Sequence, residues 1–339
     1  MKKLLVYVLF VIILLVGAAL IWLATQNGTI DVSRNIEINA SPQKVYNLVS
    51  NLNVWRDWSP WIAIEPDAET EISGKGNEAG NSLKWEGNLI GSGSITHISL
   101  EDLKSIHQHL NIITPFKSEA DVLFTFEPTS DGVNVAWKMK SKMPFLFRFL
   151  TSQMESMTEM DFDRGLKMLK DLAENDKVSS RVVVKGIEKF DGTAYVGKNV
   201  YCTKETVGPA MEQTIYDVGN WLVANSTFPE EALSIYYNFG MNNDTIHFTS
   251  GYRLLNTHKS FPFSGAIVDS IPRCNILKVT FYGDYKHLGN AWTAGYSYIQ
   301  HNKLKPLESI PPFEIYLNDP AFFPNSDDWV TDVCIPIEK

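Results

Sequence analysis

"IEINASPQKVYNLVSNLNVWRDWSPW", from Ile36 to Trp61, contains a strand, a stop, a helix and an aromatic cover in immediate succession. Ile36 and Ile38 alternate with Glu37 and Asn39, the two-residue period of a strand with one buried face. Ala40-Ser41-Pro42 ends that strand: Ser41 suits an N-cap, and Pro42 has no backbone N–H to lose in a first helical turn. Val45, Leu48, Val49 and Leu52 follow at helical spacing. Trp55, Trp58 and Trp61 then recur every three residues, closing over whatever lies beneath. Downstream, Ser82–Trp85, Gly93–Ser99, Ser105–Ile113, Asp121–Glu127 and Val133–Met139 are spaced as the strands of an antiparallel sheet, with turns such as Ser130-Asp131-Gly132. A long helix over about Thr151 to Asn175 finishes the module. Phe162, Leu166, Leu169 and Leu172 or Ala173 form its stripe against the sheet.

Upstream, Met1-Lys2-Lys3 precedes a run from Leu4 to Ala24 that holds no charge. A helix of ~20 residues rises about 30 Å, enough to cross a hydrocarbon core. A cleaved signal peptide would have a shorter apolar region and small residues before the cut, whereas Trp22 stands close to Ala24. Residues 1–24 therefore read as a transmembrane anchor, and Thr25 to Val32 as a tether. Lys2 and Lys3 precede the span while only Asp31 is charged just after it. The positive-inside bias puts the amino terminus in the cytoplasm and the remainder outside, as in a single-pass protein of a bacterial inner membrane.

The chain of 339 residues exceeds what one hydrophobic core organises, so two folded domains are expected. Its 30 basic and 39 acidic residues leave a net charge of −9, a poor match for a phosphate backbone, so no nucleic-acid partner is expected. Cys202, Cys274 and Cys334 are far apart and show no C-x-x-C, which argues against a disulfide framework or structural zinc. They read as small buried apolar residues. His107 and His109 share one face of a strand, but the sequence sets no carboxylate or third ligand beside them, and no metal is expected.

The order of strand, short helix, many strands and long last helix resembles the SRPBCC superfamily of polyketide-cyclase-like, START-type helix-grip proteins. The resemblance rests on Ile36 to Trp61 and on "FDRGLKMLKDL" in the last helix, and covers residues 33–175. It implies a curved sheet gripping the long helix, with a cavity for apolar ligands between them.

A polar stretch, residues 176–182, reads as a linker, and beyond it the chain repeats itself at an offset near eighty residues. "KGIEKFDGTAYVGKNVYC" from Lys185 is answered by "SGAIVDSIPRCNILKVTFYG" from Ser264, and "GPAMEQTIYDVGNWLVAN" from Gly208 by "GNAWTAGYSYIQHN" from Gly289. Ile-Tyr-x-Asn occurs at 235–238 and 315–318, and "FTSGYRLL" is matched by "WVTDVCIPI". A twofold duplication suits pseudo-twofold symmetry with a groove where the halves meet. Residues 183–339 resemble the GyrI-like small-molecule-binding family, most clearly through Gly283, Tyr285, Trp292, Glu314, Tyr316, Asn318-Asp319-Pro320 and Ile335-Pro336. The resemblance implies a duplicated β-α-β-β fold with ligand between the halves and an acidic residue among aromatics. Regulators of that family carry a helix-turn-helix module; this chain has an apolar anchor and a helix-grip-like module instead. The whole is expected to be α+β.

One position breaks the repeat: Glu314 stands where the first copy has Ser234. Alternation sends Phe313, Ile315 and Leu317 to one face, expected to pack on the helix holding Trp292, and Glu314, Tyr316 and Asn318 to the other, facing a groove or water. A carboxylate flanked by aromatic faces attracts a cation. Glu314, Tyr316, Tyr282, Tyr285, Trp292 and Tyr236 are the candidate ligand-binding residues, though aromatics of this kind also serve as plain core. No G-x-S-x-G, H-E-x-x-H, P-loop or G-x-G-x-x-G occurs, and no cofactor is expected. The expected function is a membrane-anchored binding protein with two ligand-holding domains for a lipophilic or cationic small molecule. The alternative is a hydrolase or cyclase in which Glu314, its pKa raised by burial, acts as general base beside Tyr316.

Overall fold

A computed structural model describes residues 2–338 apart from 226, 228, 241–244 and 255–264. Leu255 and Ser264, which bound two of the repeated segments, and Lys339 lie outside the described residues. The chain forms two compact units. One comprises Met1–Pro60, Glu69–Gly87 and Gly91–Lys177; the other comprises Trp61–Ala68, Asn88–Ile90 and Val178–Lys339.

The first unit opens with helix α1 (Lys2–Thr25), whose apolar side chains are exposed along its length and which is long and apolar enough to cross a membrane. Strand β1 (Thr29–Ile38) follows at once. The tether expected over 25–32 therefore shrinks to residues 26–28: Asp31 and Val32 are already paired with β7 (Val133–Lys142), the register running Thr29 to Lys142. Helix α2 (Pro42–Ser50) starts as its sequence dictates, with Ser41 Oγ accepting the Lys44 N–H at 3.3 Å. The meander continues through β2 (Glu69–Ser73), β3 (Ser82–Gly87), β4 (Gly91–Glu101), β5 (Ser105–Thr114) and β6 (Ser118–Pro128). All pairs are antiparallel, in the order β1-β7-β6-β5-β4-β3-β2. β2 was not anticipated because it is a polar edge strand whose only aliphatic residue is Ile72.

Helix α3 (Thr151–Asn175) lies against the sheet through Phe162, Leu166, Leu169 and Ala173, which settles the last position of its stripe in favour of Ala173. Trp137 stacks on Phe162 at 4.1 Å between centroids and on Phe124 at 4.9 Å, with Trp58 edge-on to Trp137 at 5.8 Å. Gly165 permits this approach, since a Cβ there would lie 2.8 Å from the Trp137 ring. The space between the sheet and the carboxyl-terminal half of α3 is thus filled with rings. His107 and His109 do have a carboxylate nearby, contrary to expectation: Asp121 stands opposite His109 on β6, 3.8 Å from His107 and 4.0 Å from His109. All three side chains are exposed, and no group of three such residues among those described is arranged to hold a metal.

The second unit is an eight-stranded antiparallel sheet built from β8 (Ser180–Phe190), β9 (Thr193–Cys202), helix α4 (Val207–Ala224), β10 (Ala232–Phe239) and β11 (Ile246–Leu254). The second half repeats this as β12 (Ala266–Ile271), β13 (Cys274–Gly283), helix α5 (Gly289–His301), β14 (Phe313–Tyr316) and β15 (Val330–Ile337). β8 begins at Ser180, so only residues 176–179 link it to α3, not 176–182. Beyond β-α-β-β, each half carries a leading strand lent to the other half: β8 pairs with β13, and β12 with β9. Helix α4 packs Val218 and Leu222 on Ala194, Val196 and Leu254, while α5 packs Ala291 and Ala294 with Leu277, Val279 and Phe281. Ile64 joins the α5 cluster. Glu65 holds that segment in the unit by accepting the backbone N–H groups of Asn88 (2.7 Å), Leu89 (2.8 Å) and Ile90 (3.0 Å).

Candidate functional site

The two repeated strands lie side by side. β10 and β14 pair antiparallel with Ser234 opposite Glu314, Leu233 opposite Ile315 and Ile235 opposite Phe313. Since Ser234 is the counterpart of Glu314 in the repeat, the local pseudo-twofold axis passes between these two residues. On the axis itself the copies differ in charge, with a carboxylate on one side and a hydroxyl on the other.

Around it the side chains follow the pseudo-symmetry only in part. Tyr236 and Tyr316 are counterparts, and both hydroxyls donate to Glu314 Oε2, at 2.8 and 2.5 Å. Trp292 of α5 donates its Nε1–H to Oε1 at 2.5 Å. The counterpart of Trp292 in α4 is Met211, whose Sδ lies 2.9 Å from the Tyr316 hydroxyl. Ser234 Oγ lies 3.2 Å from that same hydroxyl and 2.6 Å from Ser250 Oγ. Phe239 stacks on Tyr236 at 5.1 Å and meets Trp292 edge-on at 5.1 Å, and Tyr285 meets Tyr316 edge-on at 5.5 Å.

Glu314 is 1 % exposed, so it is not a solvated strand residue, and the face it occupies is the helix-covered one. The packing expected of its neighbours is reversed: Phe313 and Ile315 lie on the opposite face with Leu233, Ile235 and Ile276, away from Trp292, and Leu317 is exposed. Asn318 is a structural tie, accepting the Val330 N–H and donating to the Asp328 carbonyl.

Burial pushes the Glu314 carboxyl above the ordinary carboxylate range, and the three donated hydrogen bonds partly oppose that rise. Burial and the neighbouring carboxylate push the Tyr236 and Tyr316 phenols far up, so both stay protonated and able to donate. Among the described residues, no Lys, Arg or His pairs with Glu314. A buried carboxylate held by hydrogen bonds alone is incompletely compensated, and it favours a cation wherever one can approach.

Of the sequence candidates, Glu314, Tyr316, Tyr236 and Trp292 come together, and Tyr285 borders them. Tyr282 does not join them. Phe281 points to the α5 side of β13, so Tyr282 points away, and the Arg181 guanidinium sits over its ring at 3.7 Å. Met211, Ser250 and Phe239 were not singled out. Met211 was legible in principle, because Gly208-Pro-Ala-Met aligns with Gly289-Asn-Ala-Trp.

Residues 29–174 match the family model described as polyketide cyclase / dehydrase and lipid transport, and residues 229–338 match that of the GyrI-like small molecule binding domain. No curated protein matches the chain. Among solved structures, protein MLL2253 from Mesorhizobium loti is similar at 14% identity and a TM-score of 0.34, over 42% of this chain and 95% of that one. The Aha1 dimer from Colwellia psychrerythraea is similar at 20% identity and a TM-score of 0.34, over 43% and 98%. The EcmrR C-terminal domain is similar at 15% identity and a TM-score of 0.37, over 47% and 98%. The chain thus joins a domain of the polyketide cyclase / dehydrase and lipid transport type, residues 29–174, to a GyrI-like small-molecule-binding domain, residues 229–338.

Proposed function

We propose that this protein is a membrane-anchored receptor for a lipophilic cation, bound in the second unit with Glu314 as its counter-ion. The observation that carries this reading is a fully buried carboxylate on the pseudo-twofold axis, ringed by Tyr236, Tyr316, Trp292 and Phe239, with no basic partner among the described residues. The aromatic faces suit a delocalised or alkylated cation better than a hydrated one. Entry requires Trp292, whose indole N–H holds Oε1 and whose ring meets Phe239 edge-on, to move aside. The apolar length of α1 supports anchoring, and the lysines before it support an outward-facing orientation. Calorimetric titration of the full chain in detergent with matched cationic and neutral aromatic dyes tests the reading. Preferential binding of the cations is expected, and equal affinity for both sets would overturn it.

A second reading takes Glu314 as the general base of a hydrolase or cyclase acting on a small hydrophobic substrate. The raised Glu314 pKa favours it, because a base poised nearer neutrality is more effective, and Tyr316 stands ready to donate to developing negative charge. Turnover of reactive esters or strained rings that disappears in Glu314→Gln would select this reading; absence of turnover across such a panel would remove it.

A further inference from the structure

The end of the first sheet from which α1 emerges is strongly apolar, and the pairing register shows which segments share that end. β1 starts at Thr29, opposite Lys142, where β7 finishes; β6 starts at Ser118, and β5 finishes at Thr114. The turn between β5 and β6 and the 3-10 helix Phe145–Leu150 after β7 therefore project at the anchor's end of the sheet. Both present large apolar side chains to the outside: Phe116 is 70% exposed and Leu146 60%, with Ile113, Phe147 and Phe149 near one half. Elsewhere in this unit Trp58, Phe124 and Phe162 are buried, and the other exposed large apolar side chains among the described residues outside α1 are Ile98 and, on α3, Met154, Met157 and Met160.

The helical turn is fastened to the anchor's exit. Gly28 accepts the Met143 N–H at 2.9 Å, Thr151 Oγ1 donates to the Asn27 carbonyl at 2.8 Å, and a Cβ on Gly28 would lie 2.6 Å from Arg148 Nε. Residues 26–28 reach at most ~11 Å when extended. β6 and β5 lie two and three strand spacings from β1, roughly 10 and 14 Å away. With α1 in a bilayer, so short a connection keeps these phenylalanines within roughly 25 Å of its surface, and at the surface when the sheet stands upright on it.

We propose that the β5–β6 turn and Phe145–Phe149 form a lip inserted into the outer leaflet beside α1, so that the first unit lies on lipid instead of hanging free on a tether. The proposal rests on the reading of α1 as a membrane anchor. Its occupant is the phospholipid interface, since Phe and Leu enter the acyl boundary while cations remain at headgroup depth. The flanking residues match that layering: Lys117 and Lys142 are exposed on either side, and the Arg148 guanidinium lies 5.2 Å from the Phe145 ring centre.

The test uses the full chain reconstituted in vesicles of phosphatidylcholine and phosphatidylglycerol containing doxyl-labelled lipid. An environment-sensitive fluorophore is placed on single cysteines at Phe116→Cys, Phe147→Cys, Ile13→Cys and Asp131→Cys. Asp131 lies in the β6–β7 turn, at the far end of the sheet. Cys202, Cys274 and Cys334 all lie in the other unit, so labelled wild type supplies the blank. Positions 116 and 147 should be quenched about threefold more than 131 by a shallow doxyl label, as expected for interfacial insertion. Quenching at 13 but not at 116 or 147 would overturn the lip while leaving the anchor intact. No quenching at 13 would overturn both. A blue shift at 116 and 147 without lipid quenching would mean that a second copy covers the face, and it would overturn the proposal as well.

Discussion

Replacing Glu314 by Gln removes one charge while the hydrogen-bond partners can all still be met. Trp292 Nε1 only donates, so it fixes the Gln oxygen on its side; the amide then donates toward the Tyr236 and Tyr316 hydroxyls, which can turn to accept. Folding should therefore survive, and any loss should fall on cation binding, by about ten- to a hundredfold for a partly desolvated charge pair. Ser234→Ala should matter much less, since its hydroxyl carries no charge and touches Tyr316 only at 3.2 Å. Comparative titration calorimetry on the two variants checks this; equal losses would detach charge from recognition. The pH dependence has two opposite signs. Cation binding needs the carboxylate, so affinity should fall as acidification passes through a Glu314 pKa that burial has raised, at a higher pH than for exposed carboxylates. Stability runs the other way. A carboxyl whose folded pKa is raised contributes stability that is full below its unfolded value and lost as pH rises through the folded value. At neutral pH, without ligand, Glu314→Gln should melt at or above wild type, and the difference should close on acidification. A thermal-shift series over pH decides it.

At the scale of elements, the pairing of β10 with β14 converts a sequence repeat into a site, because it sets Glu314 and its counterpart Ser234 face to face on the shared axis. The repeat and the Glu314–Ser234 difference were legible in the sequence; the depth of burial was not, because it depends on helices about twenty and a hundred residues away that cover that face. Face assignment failed twice for the same reason. Phe313, Glu314, Ile315 and Tyr316 are all buried, so alternation separates two faces but cannot say which one the helices cover. In β13, Phe281 and Tyr282 are adjacent aromatics, and side-chain type alone does not choose between them. The helix-grip module was easier to read, since its strand, cap and helical stripe lie within one local stretch. Glu65 shows another blind spot: nothing near it in sequence announces that its carboxylate caps three backbone N–H groups of residues 88–90. Glu65→Ala should cost about 3 kcal/mol by leaving those donors unmet, lowering the melting point by roughly 5–10 °C, with Glu65→Gln intermediate. Differential scanning calorimetry checks the order wild type, Gln, Ala.

At the scale of the molecule, a single cut near residue 178 does not reproduce the two compact units. The second contains Trp61–Ala68 and Asn88–Ile90, which the chain supplies from between elements of the first. Ile64 is 4% exposed within the cluster of Leu288, Ala291 and Ala294, and Glu65 fixes residues 88–90 beside it. A fragment of residues 178–339 retains both halves of the duplication and the exchanged strands β8 and β12, so its sheet should form. It would lack Ile64, however, and expose apolar surface of α5. Losing a buried aliphatic side chain from such a cluster costs about 2–4 kcal/mol. The fragment should therefore unfold cooperatively but at a lower temperature than the same unit in the full chain. A peptide spanning residues 61–90, added in excess, should raise that temperature in a concentration-dependent way, and the same peptide with Ile64→Ser and Glu65→Ala should not. A fragment as stable as the parent unit, or one indifferent to the peptide, would show that the inserted segments contribute nothing to its stability.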